Sequence, residues 1–498
     1  MDELGKTEAA LVAARRENLA ALRSRGNDPF AARRFDVQAT TAELLERYGF
    51  LVPGQDASAE GWSIAGRMLS KRTMGKTSFA DLADRSGKLQ IYLRKEEVGE
   101  RAFSDWSDLD RGDLLGVRGY MFRSKLGELT LHVTSFSALG KALMPLPDKW
   151  HGLQDVEKRY RQRYVDMIVN PDVRDTMIMR SRLISEMRRF IDGRGFYEVE
   201  TPTLLHVAGG AAARPFVTHC NALDQAMQLR IATELNLKRL IVAGLERVYE
   251  IGRIFRNEGI DTTHAPEFTM LELYAAYWDV SDMMQFNEDL IVHLVSVATD
   301  GGTDLKVGDR SVSFERPFER LEYLDAMARY SGGKYTRERL LDPRGAQEIL
   351  QELGVPSSPS HGHALDKIFE RVLEPHLIAP TFVTGYPVVI SPLAKRRAGD
   401  PALADRYELF CAGMEISNAF TELNDPDDQR ERFAAQVAER AGGNEEIPEP
   451  DWDFVRALEY GMPPTAGIGI GLDRLIMLLT GQRSIRDVML FPLQRQHG

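Results

Sequence analysis

Apolar and polar residues alternate most clearly between Phe268 and Ala275. On a strand, Thr269, Leu271, Leu273 and Ala275 fall on one face, and Phe268, Met270, Glu272 and Tyr274 on the other. The odd face can pack as core. The even face sets an aromatic ring, a carboxylate and a phenol side by side, where an ordinary solvent face would carry Lys and Thr. Residues 247–255 read as a partner strand, and the polar loop between the two supplies Arg256, Glu258 and His264. A charged solvent face explains most isolated hairpins. This one offers a stacking ring, a cation for polyphosphate and acceptors for an ammonium group, and reads better as a site.

A second pattern occupies 62–136, where short β-like runs at 62–69, 77–82, 88–93, 114–122 and 128–136 are punctuated by Gly75, Gly87, Gly112 and Gly127. Five short strands at this spacing predict a small closed barrel of the OB type. Phe79 and Tyr92 can supply rings and Gln90 a hydrogen bond to a base edge. Most aromatic residues in so small a barrel are core, and Tyr92 is expected there. Leu11, Val12, Leu19 and Leu22 predict a charged helix near the N-terminus. The fold class expected is α+β, an N-terminal OB barrel followed by a domain with one large antiparallel sheet flanked by helices. The boundaries are 1–60 for helix and connector, 61–137 for the barrel, 138–163 for a basic, Pro-containing hinge and 164–498 for the large domain. Helical patterns and a Pro-Ser loop mark an insertion at about 318–380.

Composition narrows the class. The 498 residues are 43% hydrophobic and 28% charged, as in an ordinary globular chain of two or three domains. No apolar run reaches membrane-spanning length and no apolar signal core opens the chain, so neither a membrane nor an export route is expected. Cys220 and Cys411 are the only two cysteines; far apart, they suit a reducing cytoplasm and argue against structural zinc. The net charge of −11 speaks against a nucleic-acid partner. Between 61 and 98, however, eight Lys/Arg face four Asp/Glu, and Lys158, Arg159, Arg161 and Arg163 crowd the hinge. A locally basic module on an acidic chain can confine a polyanion to one place. Taken alone, such runs more often mark a solvated face.

Three stretches stand in order: Phe190-Ile-Asp-Gly-Arg-Gly-Phe-Tyr-Glu-Val-Glu-Thr-Pro202, then Phe255-Arg-Asn-Glu258 with His264-Ala-Pro-Glu-Phe-Thr-Met270, then Gly467-Ile-Gly-Ile-Gly-Leu-Asp-Arg474. They resemble motifs 1, 2 and 3 of the class II aminoacyl-tRNA synthetases, in the lysyl-tRNA synthetase form. Gly209-Gly-Ala-Ala-Ala-Arg-Pro-Phe216 and Asn418-Ala-Phe-Thr-Glu-Leu-Asn-Asp425 extend the resemblance, which covers nearly the whole chain. It implies an enzyme that activates L-lysine with ATP and passes it to the 3′-terminal adenosine of tRNA(Lys), in the cytoplasm, as a homodimer with Pro202 near its two-fold interface. Arg256 and Arg474 are the implied catalytic residues. Arg256, Glu258, His264, Phe268 and Arg474 match ATP contacts. Gly210, Glu234, Glu272, Tyr274, Asn418, Phe420 and Glu422 match the lysine site, and Phe79, Gln90 and Glu128 match anticodon contacts. Glu408 and Glu415 match carboxylates that hold Mg2+. Seven residues apart on one straight strand, those two would point to opposite faces. Either the chain turns or bulges at Ala412-Gly413, or one of them is not a ligand.

The residues themselves also argue for lysine. Asn418, Phe420 and Glu422 share a strand face, and with Glu272 and Tyr274 they make a pocket rich in carboxylates. Buried carboxylates call for an ammonium group, and the 418–422 stretch carries no cation of its own. The chain departs from the commoner pattern at Thr233 (usually Pro), Asn236 (Tyr), Ala212 (Ser), Cys220 (His) and Met414 (Arg). Three rival readings are a protein-modifying lysine ligase, whose known forms lack the barrel, a paralogue that kept the fold for RNA binding or regulation, and a plain OB-fold binder. The last leaves the large domain unexplained. The paralogue reading expects loss of Arg256, Arg474 or the Glu408/Glu415 pair, and all four are present.

Overall fold

The computed structural model describes residues 3–147, 153–441 and 449–495. The chain divides into two compact units, 1–154 and 155–498. In the first, β1 (Trp62–Met74), β2 (Thr77–Ala83), β3 (Lys88–Arg94), β4 (Leu114–Arg123) and β5 (Leu129–Gly140) close a barrel in the order β1-β2-β3-β5-β4. Its interior is the apolar half of each alternating strand: Ile64 and Met68, Ala80 and Leu82, Ile91 and Leu93. The residues between β3 and β4, where the spacing predicts no element, form helices Lys95–Val98 and Glu100–Ser107, and the second buries Trp106 in the barrel core. A β-bulge between Arg118 and Gly119 brings β5 close: a Cβ on Gly119 would lie 1.9 Å from the His132 carbonyl oxygen.

Tyr92 is not core. Ile91 and Leu93 take the inward positions, and strand periodicity turns Tyr92 to the outer face, where its ring lies 4.7 Å from that of Phe79. Size alone suggested burial; the register of two neighbours decides against it.

The second unit is built on eight strands: β6 (Tyr197–Glu198), β7 (Arg247–Phe255), β8 (Glu267–Ala276), β9 (Glu319–Glu322), β10 (Thr381–Thr384), β11 (Arg406–Cys411), β12 (Met414–Thr421) and β13 (Thr465–Gly471). They lie side by side as β9-β10-β11-β12-β13-β8-β7-β6. The sheet is antiparallel except at its edges, where β6 pairs parallel to β7 and β9 parallel to β10. The expected large antiparallel sheet is present, with a parallel pair at each edge. The edge strands differ because a helical crossover separates each pair: Glu234–Val242 precedes β7, and four helices lie between β9 and β10. Those helices, read from sequence as an insertion, carry their own core around Met327, Leu340, Ile349, Leu365 and Ile368.

One face of the sheet is dry. Leu271, Leu273, Ala419, Ile468 and Ile470 pack beneath helices Val280–Ala298 and Leu472–Thr480. In the stretch read as a hinge, β5 runs to Gly140 and a helix begins at Val156; residues 148–152 lie outside the described residues. Arg163 is fully enclosed, pairing with Asp166 at 2.8 Å and donating to the Arg486 carbonyl at 2.7 Å, so this basic residue serves packing. Among the described residues no helix is long and apolar enough to cross a membrane.

Candidate active site

The other face of the sheet lines a cavity of about 560 Å3, in the range of a small-molecule site. The alternation in β8 places its residues there: Phe268, Met270, Glu272 and Tyr274 face the cavity while Leu271, Leu273 and Ala275 face the core. β8 pairs with β7 and β13, which brings Gly467 and Gly469 beside Tyr274 and Glu272. Glycine is required at 467, because a Cβ there would lie 2.3 Å from both Glu422 Oε1 and Tyr274 Cε1.

Arg256 leaves the end of β7 into this cavity. Its Nε donates to the Ile231 carbonyl at 3.4 Å and its guanidinium stands 5.2 Å from the Phe268 ring centroid. Among the described residues no acceptor takes its two terminal nitrogens. Across the cavity, Arg474 opens the helix that follows β13. Its neighbour Asp473 does not pair with it: Asp473 is held by Arg180 at 2.5 Å and by the Thr269 N–H at 2.6 Å. Arg474 instead donates from Nη2 to His264 Nε2 at 2.8 Å and from Nη1 to Glu415 Oε2 at 3.3 Å. His264 Nδ1 in turn lies 2.8 Å from Asp261 Oδ2. Backbone N–H groups and the imidazole hold the Asp261 carboxyl down, near a pKa of about 2, against the opposing effect of its partial burial. Glu258 lines the mouth, exposed.

Glu408 and Glu415 do share a face, by two local devices. The turn between β11 and β12 is two residues long with left-handed backbone at both, φ 56° at Ala412 and 70° at Gly413. A bulge follows: Leu409 pairs with Ser417 but Phe410 with Glu415, leaving Ile416 extra. That residue reverses the alternation and returns Glu415 to the side on which Glu408 stands opposite Asn418. Burial pushes Glu408 up to about 7; Arg406 counters this and the charge of Glu415 adds to it. The second oxygen of Glu408 accepts from Tyr386 at 2.7 Å. Two facing carboxylates suit a hard cation. Among the described residues no third His, Cys, Asp or Glu completes a metal cluster; a hard cation such as Mg2+ commonly completes its shell with phosphate and water.

The carboxylate-rich end of the cavity holds a residue that sequence reasoning missed. Lys238, one helical turn after Glu234, is fully buried, 2.5 Å from Glu234 Oε1 and ion-paired to Glu422. Glu422 is almost fully buried; its Oε1 lies beside the Tyr274 ring, where a Cβ on Gly467 would point, and its carboxylate is ion-paired to Lys238. β12 ends at Thr421, and beyond it the chain bends toward the helix that carries Lys238. Helical i,i+4 spacing of Glu234 and Lys238 was the available signal. Glu272 accepts from the Thr233 N–H at 2.9 Å and from the Tyr274 hydroxyl at 3.3 Å. A proline at 233 has no such N–H, so this departure gives Glu272 a donor. Burial, and then the charge of Glu234, push Glu272 up to about 7. Gly210, with φ 92°, brings its backbone against Glu234, whose Cβ is 3.1 Å from where its own would be. Asn418 accepts from Arg406 at 3.0 Å, and Phe420 lies 5.3 Å from the Lys238 ammonium. Met414, where the pattern has Arg, packs partly buried against the core.

On the barrel, Phe79 and Gln90 take outer-face positions on β2 and β3, and Gln90 Oε1 accepts from Thr130 at 3.1 Å. Glu128 stands exposed before β5. Tyr120, Phe122 and His132 join the same face, His132 lying 5.1 Å from Tyr92 and bonded to Tyr120 at 2.9 Å. Strand alternation alone could have named them.

An antiparallel sheet whose open face carries two apposed arginines, a paired-carboxylate edge and an acidic pocket defines a class II aminoacyl-tRNA synthetase. Residues 155–495 match the family model described as tRNA synthetases class II (D, K and N), and 62–139 match the OB-fold nucleic acid binding domain. The chain is 50% identical over 483 residues to the lysine–tRNA ligase of Bacillus subtilis (strain 168), covering 97% of this chain and 96% of that one. It is 48% identical over 497 residues to that of Halalkalibacterium halodurans (99% and 98%) and 51% over 487 to that of Carboxydothermus hydrogenoformans (97% and 98%). The chain belongs to the lysine–tRNA ligase family of class II synthetases.

Proposed function

We propose that the protein is a lysine–tRNA ligase, joining L-lysine to ATP as lysyl-adenylate with release of diphosphate, then moving the lysyl group to the 3′-terminal adenosine of tRNA(Lys). The observation that carries this reading is one cavity lined by Arg256, whose terminal nitrogens have no acceptor among the described residues, with a cation and paired carboxylates at one end and an excess of carboxylates at the other.

In the first step a carboxylate oxygen attacks the α-phosphorus in line as diphosphate leaves. Both reactants are anions, so alignment and charge neutralisation are the main work, and no general base is needed. Arg256 bridges the lysine carboxylate and the α-phosphate, its planar fork matching two oxygens at once. Phe268 stacks against adenine, with Glu258 at the same mouth. Arg474 and His264 take the outer phosphates, and Glu408 and Glu415 would hold Mg2+, which would neutralise phosphate charge. Glu234 with the Gly210 backbone receives the α-ammonium. Glu272 and Tyr274 meet the ε-ammonium, with Asn418 and Phe420 on the wall and the buried Glu422, beside Tyr274 at Gly467, attracting it.

Phe79, Gln90 and Glu128 read anticodon bases on the barrel. The outer face of β3 supports this, with Phe79, Tyr92 and His132 clustered as stacking surfaces. A cytoplasmic homodimer is proposed on the motif 1 resemblance, supported by the 66% exposure of Tyr197 on its edge strand. Pro202, also exposed, is the residue placed nearest the two-fold axis.

The test is ATP–diphosphate exchange without tRNA, across the twenty amino acids and ornithine, followed by charging of total tRNA. Exchange with lysine and charging of tRNA(Lys) are expected. Exchange with another amino acid in preference to lysine, or none with or without tRNA, would overturn the reading.

A further inference from the structure

Gly252 stands in the middle of β7, where a glycine weakens a strand. The close approach of Arg230 requires it: a Cβ at 252 would lie 2.1 Å from Arg230 Nη2. Arg230 and its partner Glu250 are both buried, and neither lines the cavity. The guanidinium joins two stretches of chain. Its Nε donates to the Arg253 carbonyl at 2.9 Å, and its Nη1 donates to the Thr201 carbonyl at 3.2 Å and to Glu250 Oε1. Glu250 Oε2 accepts from the Thr201 hydroxyl at 2.7 Å and from the Thr201 N–H at 3.1 Å. The backbone at the same place is tied just as closely. The Arg230 N–H donates to the Thr203 carbonyl at 2.9 Å, and the Arg230 carbonyl accepts from the Phe255 N–H at 3.1 Å. The next carbonyl, that of Ile231, is the acceptor of Arg256 Nε at 3.4 Å.

We propose that Arg230 is a positioning residue: pinned by Glu250 between β7 and the 201–203 segment, it fixes the 230–231 backbone that sets the direction in which Arg256 enters the cavity. The inference rests on the role given to Arg256 in the lysine–tRNA ligase reading. Arg256 keeps its terminal nitrogens for substrate, so among the described residues only the bond from Nε orients its guanidinium. The place of that one acceptor therefore sets the aim of the fork, and a displacement of about an ångström at a reacting group is enough to slow a reaction about a hundredfold. A buried ion pair is a poor device for stability alone, since apolar side chains of the same volume often serve as well. A planar fork adds direction, because it engages a carboxylate and two carbonyls at fixed angles. Lysine at 230 keeps a charge for Glu250 but lacks the fork that holds the Arg253 and Thr201 carbonyls with it.

Arg230→Lys in the full chain tests the proposal by ATP–diphosphate exchange with lysine, in the parent protein and again in an Arg256→Ala background, with thermal melting as the check on folding. In the parent, kcat is expected to fall about ten- to a hundredfold, the scale of a misaimed group, while the lysine and ATP KM values stay within about threefold. In the Arg256→Ala background the same substitution should lower kcat less than about twofold, because the group it aims is gone and the two effects no longer add. A larger loss in that background marks a general structural role and overturns the proposal. An unaltered kcat in the parent, or a loss carried mainly by the two KM values, overturns it as well. If the lysine variant does not fold, Thr201→Val takes its place, removing one hydroxyl from Glu250. Its expected loss in the parent is about three- to tenfold, the size of one hydrogen bond; disappearance of that loss in the Arg256→Ala background supports the proposal, and its persistence or absence in both overturns it. Failure of the parent enzyme to exchange with lysine is a separate result, and sinks the functional reading instead.

Discussion

Asp261, His264 and Arg474 form a hydrogen-bonded chain at one end of the cavity. With Asp261 as acceptor, the His264 proton sits on Nδ1, and Nε2 is left with a lone pair for Arg474 at 2.8 Å. Asp261→Asn removes the anionic acceptor and frees the tautomer. The ATP KM should rise about three- to tenfold, of the size of one hydrogen bond, with lysine KM unchanged; steady-state exchange kinetics separate the two. Arg256 stands nearer the chemistry, and Arg256→Ala should lower exchange by about 10²–10³, the cost of one transition-state donor, while tRNA binding stays nearly intact in a filter assay. Glu272 supplies the pH dependence. Its pKa is raised to about 7 in the empty site by burial and by Glu234, so below that pH it is protonated and cannot meet an ammonium. Bound lysine favours the ionised form and expels the proton. The lysine KM should therefore fall as pH rises through about 7, and Glu272→Gln should flatten that profile.

Two elements do the positioning. The β11–β12 hairpin brings its two carboxylates to one face only through a left-handed turn and a one-residue bulge. Neither device shows in the apolar pattern of 406–421, though the seven-residue spacing of Glu408 and Glu415 already demanded something of the kind. The barrel's outer face is the second. Phe79 and Tyr92 face each other across β2 and β3 because inward residues alternate with them. Phe79→Ala removes a stacking ring worth about 1–3 kcal/mol per base. It should raise the tRNA KM about ten- to a hundredfold in charging assays and leave ATP–diphosphate exchange unchanged. An unaltered tRNA KM would exclude this face from base contact.

At the scale of the whole molecule, a chain of net charge −11 carries its positive excess in the barrel. Added salt should accordingly raise the tRNA KM steeply and spare exchange, because only the former depends on displacing counterions from a polyanion. Comparing the two assays between about 50 and 200 mM salt measures this directly; equal salt sensitivity would place the main tRNA contacts elsewhere. The basic residues around the first helices of the second unit add nothing to that count where they are enclosed, as Arg163 is.

By itself the sequence determined those features that local spacing controls. Period two in β8 separated core from cavity residue by residue, and the glycine-bounded runs located five barrel strands to within a few residues at most ends. The ordered motifs carried the family and placed Arg256, Phe268, Asn418 and Arg474 in the cavity lining, while Asp366, Arg406 and the 390–394 wall came from stretches no motif marked. The features that only the tertiary structure decided depend on partners distant in the chain. Arg180 takes Asp473 and so frees Arg474, and crossover helices make both sheet edges parallel. A bulge returns Glu415 to the face of Glu408, and Glu422 meets Lys238 from a distant helix. A charge in sequence is a residue type. Whether it acts on a substrate or on a neighbour is fixed by which opposite charge the fold brings within a few ångströms, and that is a property of the folded chain.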